Sequence, residues 1–283
     1  MQNKCYDFSG IKIGIKCKRE LADTDNLRMF RTDCRMPDYT VNVEFRESLQ
    51  GICELLTSQG MEPFCKKTTI TRGHPEQAFV YSGFSANTCN MYALKLYEEA
   101  FDISSVFRHM PLSHLLLQKN AIVLHASYVL VNGEAIAFCA PSGTGKSTQA
   151  ELWKAYRNAK IVNGDRVLLR SGENGYTAGG IYYSGTSDYC ENITAPLRAI
   201  VLLGQSEENS VNDCTGAEAF RRLLREVNYS AEFVDDPMKT AELLAELINS
   251  TQIVKLDCLP DETAVDALEA YLGRDITYGK PTC

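Results

Sequence analysis

Between residues 121 and 148 the chain reads AIVLHASYVLV, then Asn132-Gly133, then EAIAFCA, then PSGTGKST. Two β-rich runs around Asn-Gly form a tight hairpin, because both turn residues accept positive φ. The second run passes directly into a glycine-rich turn, and a helical pattern, TQAELWKAY, follows at once. This order restricts the fold. In most doubly wound α/β domains the strand entering such a turn is reached by a helical crossover and lies in a parallel sheet. Here it pairs antiparallel with its immediate predecessor, so the expectation is a mixed α/β (α+β) domain around a largely antiparallel sheet.

The turn has the makings of an anion site. Glycines let consecutive backbone N–H groups converge, and a helix start adds its positive dipole end. The pattern is G-x-x-x-x-G-K-[ST] with Ala140 in place of the first glycine. Candidate nucleotide-binding residues are Ser142, Gly143, Thr144, Gly145, Lys146, Ser147 and Thr148. Lys146 would reach the β- and γ-phosphates, and the Ser147 hydroxyl would bind Mg2+.

Strand register extends the candidate site. If Val131 and Glu134 flank the turn, His125 falls opposite Ala140, the first residue of the phosphate turn. A lone strand histidine is usually a core residue; this pairing makes it a site candidate. Asp165 opens DRVLLR about one helix past the turn, where a strand-borne carboxylate would meet Mg2+ or a reacting hydroxyl. A second hairpin around Asn174-Gly175, with Glu173 and Tyr176 flanking, would set Asp165 opposite Ser184. That register brings Ser184, Gly185, Thr186 and Ser187 over the phosphates as a candidate substrate loop.

Elsewhere the signals are structural. SGIKIGIKCK, YTVNVEFRE and QAFVYSG alternate like strands and suggest a small antiparallel β-rich module over residues 1–105, with the catalytic domain over 106–283. Helical spacing is expected over 87–101 and 111–120, and KIVNGDRVLLR reads as one strand. The helices GAEAFRRLLREV and MKTAELLAELINS would bury stripes containing Ala217, Phe220 and Leu224, and Ala241, Leu244 and Ala245. Eleven cysteines without a C-x-x-C spacing read as reduced thiols, not a disulfide or zinc framework. A net charge of −7 argues against nucleic-acid binding as the main task. No apolar run approaches membrane length, so no membrane partner and a cytoplasmic location are expected.

As a set, LHAS with His125, SGTGKST and the DRV tripeptide with Asp165 resemble the HPr kinase/phosphorylase catalytic domain, a family related to ATP-dependent phosphoenolpyruvate carboxykinase. The resemblance covers roughly residues 111–204 and, more loosely, the tail to 275. It implies a P-loop domain of that family and an ATP- and Mg2+-dependent kinase acting on a serine of a small protein or peptide, HPr-like or a precursor peptide. It further implies Asp165 as the base, supported by His125, with Lys146 and Mg2+ neutralising the γ-phosphate and Ser147 and Asp165 as metal ligands. It also implies a homo-oligomer. Where the family carries two adjacent aspartates this chain has Gly164-Asp165, and it lacks the family's E-I-R-G-L-G-I segment. Two other readings stay open: a nucleotide-binding regulator with little turnover, and a carboxykinase-like or other small-molecule kinase.

Overall fold

The structure, a computed structural model, describes residues 2–64, 79–229 and 233–274. Cys65, His74, Cys283 and the first residues of the QAFVYSG run lie outside that set. The chain divides into two compact units, Met1–Leu115 and Leu116–Cys283, so the helix Ile103–His109 belongs with the first. No helix among the described residues is long and apolar enough to cross a membrane.

The first unit contains β1 (Gln2–Phe8), β2 (Ile11–Cys17), α1 (Asp25–Met29), β3 (Arg31–Thr32), β4 (Tyr39–Arg46) and α2 (Ile52–Ser58). After these come β5 (Glu62–Phe64), β6 (Val80–Ser85), β7 (Thr88–Leu94), a 3-10 turn (Lys95–Ala100), α3 (Ile103–His109) and the start of α4 (Leu112–Leu117), within which the division falls. Its sheet runs β3-β1-β2-β4-β7-β6-β5. The hairpins β1–β2 and β6–β7 are antiparallel. The module as a whole is not: β2, β4 and β7 lie parallel, because the returns through α1 and α2 supply the crossovers that parallel neighbours require. The helix expected over 87–101 is instead β7 and the 3-10 turn. Met91, Tyr92 and Ala93 are all buried, and a strand covered on both faces loses the alternation that would have marked it. Cys5 and Cys34 form a disulfide between β1 and the loop after β3, which corrects the expectation of reduced thiols throughout.

The second unit contains β8 (Ala121–Val131), β9 (Glu134–Cys139), α5 (Lys146–Arg157), β10 (Lys160–Asn163), β11 (Arg166–Gly172) and β12 (Gly175–Gly179). It continues with β13 (Thr194–Gln205), β14 (Ser210–Asp213), α6 (Gly216–Glu226), β15 (Val227–Asn228), α7 (Asp236–Ser250), β16 (Gln252–Cys258) and α8 (Glu262–Arg274). The Asn132-Gly133 turn has φ of 52° and 83°, and the ladder from Val131↔Glu134 to Ala126↔Cys139 keeps the expected register. On its other side β9 pairs parallel with β13, which pairs parallel with β16. The domain is therefore mixed α/β, and its parallel content is larger than the hairpin alone suggests.

Two long strands organise the sheet. The first half of β8 pairs with β11 and β15, and its second half with β9 and β10. Likewise β13 begins against β12 and ends between β9 and β16. Side chains of β9 alternate between two cores. Ala135, Ala137 and Cys139 share one with Leu223, Leu244 and Leu247, and Ile136, Phe138 and Ala140 share the other with Ala150, Trp153 and Leu268. Covered on both faces, β9 reads as a continuous apolar run. The buried residues of α6 are Ala219 and Leu223, one residue off the expected face, although the expected Phe220 packs partly buried against the same core; α7 buries Leu244 as expected, with Leu243 and Leu247 beside it. In α7 the leucine-rich side faces the core.

Candidate functional site

The glycine-rich turn lies between β9 and α5. Ala140 is 2% exposed and belongs to the core beneath α5, so its methyl group occupies buried apolar space where the usual pattern has glycine. Gly143 and Gly145 sit at φ of 79° and 114°, a backbone region that side chains with a Cβ seldom enter. Gly145 caps α5 without a side-chain hydrogen bond, which leaves the first helical N–H groups directed at the turn. Lys146 is buried, and its Nζ donates to the carbonyls of Ala140 (2.8 Å) and Pro141 (3.2 Å). Desolvation pushes its ammonium below the usual lysine range, against the raising pull of Glu226, Cys139 and Asp165. A cation partly stripped of water and held by neutral carbonyls is poised for an anion.

Asp165 lies at a corner. β10 pairs with the second half of β8 and β11 with the first half, and between them the strand is interrupted at Gly164-Asp165. KIVNGDRVLLR is therefore two strands and not one. Asn163, fully buried, makes the corner: its Oδ1 accepts from the N–H groups of Asp165 and Arg166, both at 2.9 Å. Its Nδ2 donates to the carbonyls of Ile181 (2.9 Å) and Tyr183 (3.1 Å), tying the following loop to the same corner. Ser127 Oγ donates to the Gly164 carbonyl at 2.8 Å.

Around the Asp165 carboxylate the ionisable side chains form a chain. His125 Nε2 lies 3.2 Å from Oδ1, and Arg166 Nε lies 2.9 Å from Oδ2. The other ring nitrogen of His125, Nδ1, lies 3.0 Å from Glu226 Oε2. Glu226 ends α6, and the Val227↔Leu124 pairing that follows delivers it beside His125. Side chains of His125 and Asp165 are 21% and 23% exposed, Glu226 only 12%.

The loop Ser184–Ser187 reaches Asp165 by a route other than the expected one. The second hairpin turns at Glu173-Asn174 with Gly172 opposite Gly175, so the register that would have paired Asp165 with Ser184 is absent. The loop is placed by the Asn163 amide and by two glycines. A Cβ on Gly164 would fall 2.1 Å from Ser187 Oγ, and one on Gly185 would fall 3.0 Å from each Asp165 carboxylate oxygen. Ser187 thus fills the space that a second aspartate side chain at position 164 would need.

Ser147, Glu151, Asp165, Ser184, Thr186 and Ser187 line one cavity of about 310 Å³, with Asp188 and Tyr189 at its side. A second cavity, about 320 Å³, opens on Gly143, Thr144, Gly145, Thr148 and Gln149, with Leu203, Leu259 and Pro260 as apolar walls. Among the described residues no group of three His, Cys, Asp or Glu side chains is arranged to hold a metal ion alone. The Ser147 hydroxyl and the Asp165 carboxylate are hard oxygen donors sharing the first cavity, a set that suits Mg2+, which takes one or two carboxylates and completes its shell with water and phosphate.

Of the expected site residues, the structure brings Ser147, Asp165, Ser184, Thr186 and Ser187 to one cavity and links His125 to it through Asp165. Gly143, Thr144, Gly145 and Thr148 face the second cavity. Glu226, Asn163 and the ion pair of Arg166 were not read from sequence. Asn163-Gly164 before a charged residue is a turn signal that could have broken the strand at that point. Nothing local marks Glu226.

A mixed α/β unit carrying a glycine-rich strand–turn–helix, with a strand-corner carboxylate in the adjoining cavity, is the class of protein defined here. No family model matches the chain, and no curated protein does. Among solved structures the chain is similar to the HPr(Ser) kinase/phosphatase from Coxiella burnetii, at 9% identity over 55% of this chain and 95% of that one, with a TM-score of 0.31. At so shallow a likeness, only the chain's own residues bear on function.

Proposed function

We propose that the second unit is a phosphotransferase that moves the γ-phosphoryl group of ATP onto a serine hydroxyl of a small protein or peptide. One observation carries the reading: Ser147, at the start of the helix behind the glycine-rich turn, and Asp165, held by His125 and Arg166, line the same cavity. Phosphoryl transfer asks little covalent chemistry of a protein; it needs phosphate held in line with an acceptor and its charge offset.

In this reading the N–H groups of the turn and of the α5 start bind the phosphates, and Lys146 exchanges its loop carbonyls for β- and γ-phosphate oxygens. Mg2+, when bound, offsets phosphate charge, and Ser147 and Asp165 are the residues that would hold it. Asp165 takes the proton of the acceptor hydroxyl. His125, fixed through Nδ1 by Glu226, keeps that carboxylate turned to the cavity, and Arg166 holds its other oxygen.

A nucleotide-binding regulator with little turnover is the second reading, favoured by the contact between Ser187 and Gly164, which occupies acceptor space beside Asp165. Incubation of the protein with γ-labelled ATP, Mg2+ and serine-containing proteins or peptides decides. Label on an acceptor serine bears out the kinase, label on a small metabolite points to a small-molecule kinase, and tight nucleotide binding without transfer leaves the regulator.

A further inference from the structure

We infer a second activity at this site: the protein phosphorylates its own Ser187 in cis. The inference rests on the phosphotransfer reading and concerns the acceptor. The loop that carries Ser187 is built onto the corner that carries Asp165. Asn163 ties the loop through the Ile181 and Tyr183 carbonyls, and the turn is closed by the Ser187 N–H donating to the Ser184 carbonyl at 2.9 Å. Gly164 and Gly185 remove the two Cβ atoms that would have kept loop and carboxylate apart. Two glycines interlocking from opposite sides are a costly way to make a mere lid, because each leaves a main chain free to wander when unfolded.

The three loop hydroxyls differ in what they have left to give. Ser184 is 5% exposed and its Oγ donates to the Ser187 carbonyl at 2.9 Å. Thr186 is exposed and rides at the tip of the turn. Ser187 Oγ accepts from the Tyr189 N–H at 3.2 Å, which fixes the oxygen on the loop. That oxygen lies against Gly164, next in the chain to Asp165, inside the cavity that Ser147 also lines.

Written as a reaction, a bond forms between Ser187 Oγ and the γ-phosphorus of ATP. The bond from that phosphorus to the β,γ-bridging oxygen breaks, ADP leaves with the electron pair, and the hydroxyl proton passes to Asp165. Holding acceptor and base on one corner makes the step effectively unimolecular in the enzyme–nucleotide complex. Once formed, the phosphoserine would fill the acceptor end of the cavity with negative charge beside Glu151 and Asp188, closing it to an outside hydroxyl until removed.

The test uses the full chain with Mg2+ and γ-labelled ATP, alongside a direct measurement of nucleotide binding, and reads intact mass and the phosphopeptide spanning 181–191, both as purified and after incubation. The expected result is one phosphoryl group on Ser187, at a rate independent of protein concentration, absent from Ser187→Ala. Asp165→Asn is expected to slow it about 10²–10⁴-fold. A Lys146→Ala chain mixed with active protein is expected to stay unlabelled. Should Ser187→Ala fail to fold, the wild-type phosphopeptide alone decides. Bound nucleotide with no label on the loop, label on Thr186, or labelling of the Lys146→Ala chain in trans would overturn the inference and leave the phosphotransfer reading intact. Absence of nucleotide binding would remove both.

Discussion

Asp23 in the first unit and Asp165 in the second both sit among ionisable partners, and the two are finished differently. In the first unit Asp23 has a side chain 6% exposed; Lys4 Nζ donates to its Oδ2 at 2.8 Å, the Tyr6 hydroxyl donates to its Oδ1, and Arg31 stands 3.4 Å away. Lys4 is closed off in turn by the Leu21 carbonyl at 2.6 Å. Burial pushes the Asp23 carboxyl up, but the hydrogen bonds from Lys4 and Tyr6 and the charges of Lys4 and Arg31 outweigh it, and the net shift is below the usual range. Desolvation and the same carboxylate push the Tyr6 hydroxyl far up. In the second unit Asp165 also has two basic neighbours, His125 and Arg166, yet it is 23% exposed and lines a cavity. A carboxylate whose lone pairs are all used inside the protein is an architectural part; one pinned from two sides with an edge left open is equipped to meet something that arrives.

That contrast breaks most visibly at the two aspartates themselves. Asp165→Asn is expected to lower phosphoryl transfer about 10²–10⁴-fold, the usual worth of a positioned base, with nucleotide affinity and melting temperature little changed. Rates from γ-labelled ATP and a thermal melt of the same preparation check both halves; transfer at the wild-type rate would strip Asp165 of the base role. Asp23→Ala is expected to do the opposite, costing about 3–5 kcal/mol because Lys4 is left buried and unpaired, as read by denaturant unfolding. If the two substitutions cost the same stability, the division between architectural and working carboxylates fails.

Acid sharpens the comparison further. With its folded value depressed, Asp23 contributes stability that is complete above the unfolded carboxyl value of about 3.9 and is lost as pH falls from there through the lower folded value. The unfolded chain binds the more protons in that window, so stability there rises with pH. A melting curve followed downward from neutral pH should therefore lose stability below about pH 4, and Asp23→Asn should flatten that limb. A limb of unchanged steepness in Asp23→Asn would place the acid sensitivity in other carboxyl groups.

What could be read ahead of the structure followed the range of the interaction. The Asn132-Gly133 hairpin and its register are local, and the ladder runs as expected to Ala126↔Cys139, one pair short of the expected His125–Ala140 pairing; His125 pairs with Arg166 instead. The turn itself, the start of α5 and the arrival of Asp165 beside them are also encoded within a few dozen residues. Strand order was not: β2, β4 and β7 are parallel neighbours through crossovers, and β7 hides its period because both faces are covered. The Cys5–Cys34 link joins residues that no spacing rule pairs. The Ser184–Ser187 loop met Asp165 although the register argument for it failed, since the Asn163 amide and two missing Cβ atoms did the placing. Long-range side-chain brackets of that kind leave no periodic trace.

Glu226 is the clearest such bracket, and it gives the smallest effect expected here. Its carboxylate meets His125 Nδ1 at 3.0 Å across 101 residues of sequence, and it never reaches the cavity. Glu226→Gln keeps an oxygen for the Nδ1–H and removes the charge, so the loss is that of a charge-assisted bond turned neutral, about 1 kcal/mol or roughly fivefold in transfer rate. Glu226→Leu removes the acceptor as well and should cost more. A positioning role requires the two variants to rank in that order in kcat while KM for ATP changes less, because in the proposed reading the turn, and not Asp165, would hold the nucleotide. A purely structural role would instead lower the melting temperature of both and leave their rates alike, and the chain from Glu226 to Asp165 would then be packing rather than an extension of the working carboxylate.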